Sequence, residues 1–232
     1  MLYYAAATAQ DSGKHCVGAA TASQPQGPFT AIDNPLFCDL SVGGAIDPNG
    51  FKDPQSGNQY VVYKVDGNSI GNGGACSNSV PPIQSTPLIL QQVSSVDGTS
   101  ATGSAIEILS NIEEDGPMIE APALIYDPGS ATYILFYNSG CFTSSNYNIK
   151  YATSSSVSGP YTRQGTFLAT GSTAANIYIP GGIDVVNGES RAVLHGDINL
   201  GWFAGDGSKR VRAMYAIDVN LSGGSATPGS LL

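Results

Sequence analysis

Two carboxylates head two segments of matching design. Asp47 lies in Gly44-Ala45-Ile46-Asp47-Pro48-Asn49-Gly50-Phe51-Lys52-Asp53-Pro54, ahead of the apolar run Tyr60-Val61-Val62-Tyr63. Glu120 lies in Met118-Ile119-Glu120-Ala121-Pro122-Ala123-Leu124-Ile125-Tyr126-Asp127-Pro128, ahead of Tyr133-Ile134-Leu135-Phe136-Tyr137. In each, an acid stands before a proline at the head of a short strand, and an Asp-Pro turn leads to a second strand. Acids at equivalent points of a repeated unit can converge on one pocket. Two converging carboxylates are the minimum equipment for acid/base hydrolysis of a glycosidic bond. Asp before Pro is also a common turn residue, and the ordered pairing with Glu120 is what favours the chemical reading of Asp47. Glu120 has apolar neighbours in Ile119, Ala121 and Leu124, where a lone carboxylate is more easily explained by chemistry than by solvation.

Other side chains could line the same pocket. His195 follows Ala192-Val193-Leu194 and reads as a satisfied core or channel histidine, or as one facing a sugar or an axial ion. Arg210 and Arg212 alternate on one strand face, from which one could reach sugar hydroxyls or Asp184. Trp202 and Phe203 follow Asp197 in a loop and could stack on a sugar or anchor the core. His15, beside Cys16, reads as structural. Glu113, Glu114 and Asp115 form a charge run that reads as a solvated loop.

The elements that must position these groups repeat. Apolar strand cores start at residues 2, 60, 133 and 192, in steps of 58, 73 and 59. Turn chemistry precedes three of them: Asp53-Pro54-Gln55-Ser56-Gly57, Asp127-Pro128-Gly129-Ser130 and Asn187-Gly188-Glu189. A second echo pairs Gly18–Thr30 with Lys150–Thr162, each copy ending in Gly-Pro-aromatic-Thr. Strand, turn, strand, hairpin, strand, Gly-Pro, strand describes a four-stranded antiparallel sheet. Its repetition predicts an all-β protein, a β-propeller rather than a β-sandwich. The expected blades are 1–42 (partial, lacking its first strand), 43–115, 116–177 and 178–221. Segment 94–105 reads as a long loop and 222–232 as a frayed tail. First strands line the channel of a propeller, and Asp47 and Glu120 fall there. No amphipathic helix longer than a turn or two is expected.

Bulk composition fits this picture. The chain has 232 residues, with charged residues at 12% and Gly 29, Pro 14 and Tyr 12, which is a loop-rich β profile. A net charge of −9 with 9 Lys+Arg argues against nucleic acid or an anionic membrane as a partner. No stretch is long and apolar enough to span a membrane. The four cysteines Cys16, Cys38, Cys76 and Cys141 contain no CxxC and no zinc-ligand spacing with His. They point to disulfides and a secreted protein, with Cys16–Cys38 and Cys76–Cys141 the favoured pairing because the first pair is local; buried free thiols are the alternative. Asn220-Leu221-Ser222 is a sequon compatible with secretion. Met1-Leu2 runs straight into a strand without a basic leader, so the sequence is expected to be N-terminally incomplete, with the signal peptide outside it.

Gly-Ala-Ile-Asp-Pro, Ile-Glu-Ala-Pro and the two Ala-Thr…Gly-Pro-Phe/Tyr segments resemble glycoside hydrolase family 43 over nearly the whole chain. The resemblance implies a five-bladed propeller, of which about four blades are present, and inverting hydrolysis of arabinan, arabinoxylan or xylo-oligosaccharides. It implies Glu120 as general acid and Asp47 as the residue that adjusts its pKa and orientation. Charge repulsion from Asp47 and an apolar wall would keep such a donor protonated. The base expected from a first blade has no counterpart, so weak or no turnover is expected of the chain as given. Where many relatives carry Gly-Pro-Gly-His near an axial metal, this chain reads Ile179-Pro180-Gly181-Gly182-Ile183-Asp184. No cofactor is therefore required, and an axial calcium is in doubt. A monomer is expected at full length. A non-catalytic carbohydrate-binding propeller and a related fructan-acting hydrolase are the competing readings.

Overall fold

The computed structural model describes residues 1–171, 177–186, 190–198 and 210–232. They form two compact units, Met1–Asn111 and Ile112–Leu232. Both are built only of antiparallel meanders, in which each strand pairs with its sequence neighbour. This meander is the blade unit of a β-propeller.

The first unit holds a three-stranded sheet of β1 (Leu2–Ala7), β2 (His15–Thr21) and β3 (Thr30–Ala31). A four-stranded sheet follows: β4 (Ala45–Lys52), β5 (Gln59–Val65), β6 (Leu88–Val93) and β7 (Ile106–Leu109). Val17, Ala45, Val61 and Val93 are buried together, with Phe37 stacked on Tyr63 at 4.5 Å between ring centroids. The second unit holds β8 (Ile119–Asp127), β9 (Thr132–Ser139), β10 (Asn148–Ser154) and β11 (Thr162–Ala169). Its other sheet is β12 (Tyr178–Val185), β13 (Arg191–Asp197), β14 (Arg212–Ser222) and β15 (Ser225–Leu231). Its core joins both sheets through Ile125, Ile134, Phe136, Ile149, Leu194 and Ile217.

The repeat signals correspond to specific local chemistry. Asp53 caps its turn by accepting from the backbone of Gln55 and Ser56 and from the Ser56 hydroxyl. Asp127 does the same for Gly129 and Ser130. A short polar side chain that bonds its own turn is the reason Asp opens such reversals. Gly27-Pro28 and Gly159-Pro160 are both cis, with the glycines at φ 84° and 88°, and Thr30 and Thr162 open the strands that follow. Segment 94–105 is the loop between β6 and β7. The helical turns among the described residues are short 3-10 segments.

Two expectations are corrected. The tail is not frayed: Gly223 and Gly224 turn the chain at φ 59° and 78°, and β15 pairs along β14. The Gly/Ser content there supplies a tight reversal, and Ala226 is buried against the core. The charge run 113–115 is not wholly solvated either, because Asp115 is 2% exposed. Its carboxylate takes Lys150 Nζ at 2.7 Å and Arg163 Nη2 at 3.0 Å, from β10 and β11, and accepts from the Ile112 backbone. Burial and the Asp115 charge push the nearby Tyr137 hydroxyl up to about 12. Cys16 and Cys38 are bridged, and Cys76 and Cys141 are also disulfide-bonded, so no thiol is free. None of the described helices is long and apolar enough to cross a membrane.

Candidate active site

The first strands of the three four-stranded sheets share one distortion. Opposite two residues of the neighbouring strand, β4, β8 and β12 each insert one extra: Ile46 and Asn49 face Lys64 and Val62, Glu120 and Ala123 face Asn138 and Phe136, and Tyr178 and Gly181 face Asp197 and His195. This is a β-bulge, a device that re-aims a side chain at a sheet rim. Inside each bulge one non-glycine residue sits at positive φ immediately before a proline: Asp47 at 54°, Ala121 at 49° and Ile179 at 50°. Left-handed backbone is costly for side chains with a Cβ, most of all for a β-branched one such as Ile179. The surrounding ladder holds it three times over.

The register changes the relation between the two acids. Asp47 is the left-handed residue of its bulge, equivalent to Ala121, whereas Glu120 is equivalent to Ile46. The acids occupy adjacent positions of one motif and not the same position. Opposite each bulge stands a buried polar residue: Lys64 at 2% exposure, Asn138 at 0% and Asp197 at 0%. Asn138 donates from Nδ2 to the carbonyls of Asn148 and Pro180, and its Oδ1 accepts from the Gly182 backbone. It thereby clamps the bulge of β12.

In the first unit Asp47 is half-buried. Lys64, buried beside that bulge, stands 3.2 Å from Asp66, with His15 Nδ1 4.0 Å from the other Asp66 oxygen. Asp39 caps a 3-10 turn through Ser41, whose hydroxyl and then backbone bonds hold its carboxyl below its ordinary value.

In the second unit three of the residues singled out from sequence gather around a tyrosine. Tyr147, 2% exposed, donates its hydroxyl to Glu120 Oε1 at 2.6 Å. Its ring occupies the notch left by Gly181, where a Cβ would overlap Tyr147 Cε1 and stand 2.8 Å from His195 Cε1. His195 lies between Gly181 and Met214 across the sheet, half-buried, with Nδ1 buried and making no hydrogen bond among the described residues. Burial, then Arg212 and Arg210, push its pKa down to about 4, so the ring is neutral at ordinary pH. Arg210 Nε binds both oxygens of buried Asp197 at 2.9 and 2.8 Å. Arg212 feels the negative fields of Asp197 and Glu120, yet burial and the neighbouring Arg210 leave its pKa below the ordinary value. Both guanidinium groups stand 5.8 Å from the centroid of Phe142. Asp184 lies on β12 with its side chain exposed, opposite Val193. Trp202 and Phe203, and the turn Asn187-Gly188-Glu189, lie outside the described residues.

A metal ion fits this corner poorly. His195 faces two cationic guanidinium groups, whose fields oppose a bound cation as they oppose a proton. Gly181 and Gly182 bring no donor side chain, and no cluster of three His, Cys, Asp or Glu suited to a metal occurs among the described residues. Sequence reasoning missed Tyr147, Phe142, Asn138 and Asp197. The three polar residues opposite the bulges could have been found by aligning the strands on Pro48, Pro122 and Pro180.

Meanders of this kind, with bulged first strands, define an all-β protein of the β-propeller class. The chain belongs to glycosyl hydrolases family 43, whose family model matches residues 1–199. Solved structures agree in fold. A thermostable family-43 glycoside hydrolase superposes with a TM-score of 0.76 at 20% identity, covering 98% of this chain and 70% of the other. An endo-1,4-beta-xylanase from Bacteroides thetaiotaomicron gives 0.69 at 20% identity, covering 99% and 71%. A family 43 arabinoxylan arabinofuranohydrolase from Bacillus subtilis, in complex with cellotetraose, gives 0.62 at 23% identity, covering 99% and 48%. No curated protein matches the chain.

Proposed function

We propose that this protein hydrolyses arabinose- or xylose-containing plant cell-wall polysaccharides or their oligosaccharides, outside the cell, with Glu120 as general acid. Family membership supports a glycosidase. The substrate class draws on similar structures described as an endo-1,4-beta-xylanase, an endo-arabinase and an arabinoxylan arabinofuranohydrolase. The disulfides support an oxidising compartment.

One observation carries the assignment of Glu120: a carboxyl at the mouth of a strained bulge, held by a buried tyrosine hydroxyl and facing the Arg212 charge. In the reaction, the Glu120 proton passes to the glycosidic oxygen as that oxygen takes the electron pair of its bond to the anomeric carbon. Water adds to that carbon from the opposite face and gives its proton to a carboxylate base, so the configuration inverts. By its motif, Asp47 matches the acid that modulates the donor in this family. Arg212 is placed to bind sugar hydroxyls, and neutral His195 to pack or accept a hydrogen bond beside them. The base has no match by motif among these residues, and no cofactor enters the scheme.

The test is hydrolysis of xylo- and arabino-oligosaccharides by the wild type and Glu120→Gln, with product anomers followed by NMR. Loss of about 100- to 10,000-fold in the variant is expected for removal of a general acid. Undiminished turnover in Glu120→Gln refutes the assignment. Retained configuration in the product refutes inversion. Tight binding of xylotriose with no turnover by the wild type favours the non-catalytic reading for this chain.

A further inference from the structure

Outside the donor itself, the feature with the most chemical content is the contact that Glu120 makes. Tyr147 is buried, and its ring is fixed on one side by the glycine of β12 that admits it. Its loop is fixed as well: the Tyr147 backbone donates to Ser144, and Cys141 at the start of the loop is disulfide-bonded. Within this packing the hydroxyl lies 2.6 Å from Glu120 Oε1. That distance is short for a contact of this type and fits donation to a carboxyl oxygen.

We infer that Tyr147 is a positioning residue that reserves Oε1 of Glu120 as an acceptor and so leaves the transferable proton on Oε2. This rests on Glu120 being the general acid. A phenol O–H pointed at Oε1 makes that oxygen the carbonyl-like one while Glu120 is protonated. When the proton leaves Oε2 for the glycosidic oxygen, negative charge spreads to Oε1 and the Tyr147 bond becomes charge-assisted. It therefore strengthens along the reaction, the condition under which a contact accelerates chemistry instead of only binding substrate. Among the charged groups of the second unit, Arg212 acts in the same sense by carrying positive charge towards this carboxyl, while Arg210 is ion-paired with Asp197. Gly181 enters the chain of cause indirectly, because its missing side chain is the space the tyrosine ring fills.

Tyr147→Phe removes the hydroxyl and keeps the ring. The discriminating readout is leaving-group dependence, since only a poor leaving group needs its oxygen protonated. For substrates with a sugar leaving group, kcat/KM is expected to fall roughly 10- to 100-fold with KM little changed, the scale of one charge-assisted bond. For dinitrophenyl glycosides the fall is expected to be several-fold smaller. Equal losses for both leaving groups, or none, overturn the inference. A second measurement needs no turnover. With five glutamates in the chain, the carboxyl carbon resonance of Glu120 is assigned by its disappearance in Glu120→Gln. At fixed pH it should move in Tyr147→Phe more than any other glutamate, and an unmoved resonance overturns the proposed contact. Wild type inert on every substrate, with a Glu120 resonance that responds to Tyr147, would fail the hydrolase reading of this chain and leave the positioning contact standing.

Discussion

Asp115→Asn keeps the shape of a buried side chain and removes its charge. The wild-type carboxylate is fully buried, with Lys150 at 2.7 Å on one oxygen and Arg163 at 3.0 Å on the other. A third bond comes from the Ile112 backbone at 3.2 Å. The backbone carbonyl of Asp115 also accepts from Gly140, so the turn that feeds β8 and Glu120 is tied to the end of β9. Removing one partner of a buried ion pair costs about 3–5 kcal/mol, because the other charge is stranded. Lys150 and Arg163 keep 16% and 28% side-chain exposure and can turn part of their charge to water. The expected loss is therefore about 2–3 kcal/mol. For a chain of this size that lowers Tm by roughly 4–12 °C. Circular dichroism during heating reads the shift, and urea titration checks that the slope of the transition is unchanged. Adding Lys150→Met to Asp115→Asn should return a large part of the loss, since it removes one stranded cation. A loss below about 0.5 kcal/mol, within the range of ordinary surface substitutions, refutes the ion-pair anchor. No recovery in the double variant refutes its electrostatic cause.

Other expectations concern the corner around Tyr147. His195 falls from an ordinary value of 6.5 to about 4 in the folded chain, so the folded state resists a proton that the unfolded chain accepts. Its contribution to stability is complete above pH 6.5 and is lost as pH falls from there towards 4. Discounted for partial exposure, the effect is about 1–2 kcal/mol, and His195→Gln should flatten that part of the pH–stability curve. An unchanged curve shows that other groups carry the acid sensitivity. Gly181→Ala places a methyl group against Tyr147, His195 and Asn138, and should destabilise by about 1–3 kcal/mol through overpacking. It should also reduce turnover of substrates with poor leaving groups, as Tyr147→Phe does; full stability and full activity together would mean that the ring has room to move.

Much of the fold is legible in the sequence because its signals are local. Alternating apolar runs, Asp that bonds its own turn, and Gly-Pro before an aromatic act within a few residues, and they mark the strands and their period. Glu120 and Asp47 stand out for the same reason, as acids one or two residues ahead of a proline at the head of a strand. Local signals also mislead. The tail and the charge run 113–115 look solvated by composition, but β14 offers the tail a partner and two cations from distant strands bury Asp115.

The exact relation of the two acids depends on register. Read by eye, Asp47 and Glu120 match at a step of 73, whereas Pro48 with Pro122 and Asp53 with Asp127 give 74. The ladder agrees with the prolines and sets Asp47 against Ala121 and Glu120 against Ile46, while the bulge itself shows only once hydrogen bonds pair the strand with its neighbour. The sequence by itself determined the family and the meander, and it singled out the two acids as candidates. The tertiary structure decided what touches them: the Tyr147 hydroxyl on Glu120, the glycine that admits its ring, and the burial and neighbouring arginines that keep His195 neutral. Those contacts join residues tens of positions apart, and the packing that sets them leaves no periodic trace along the chain.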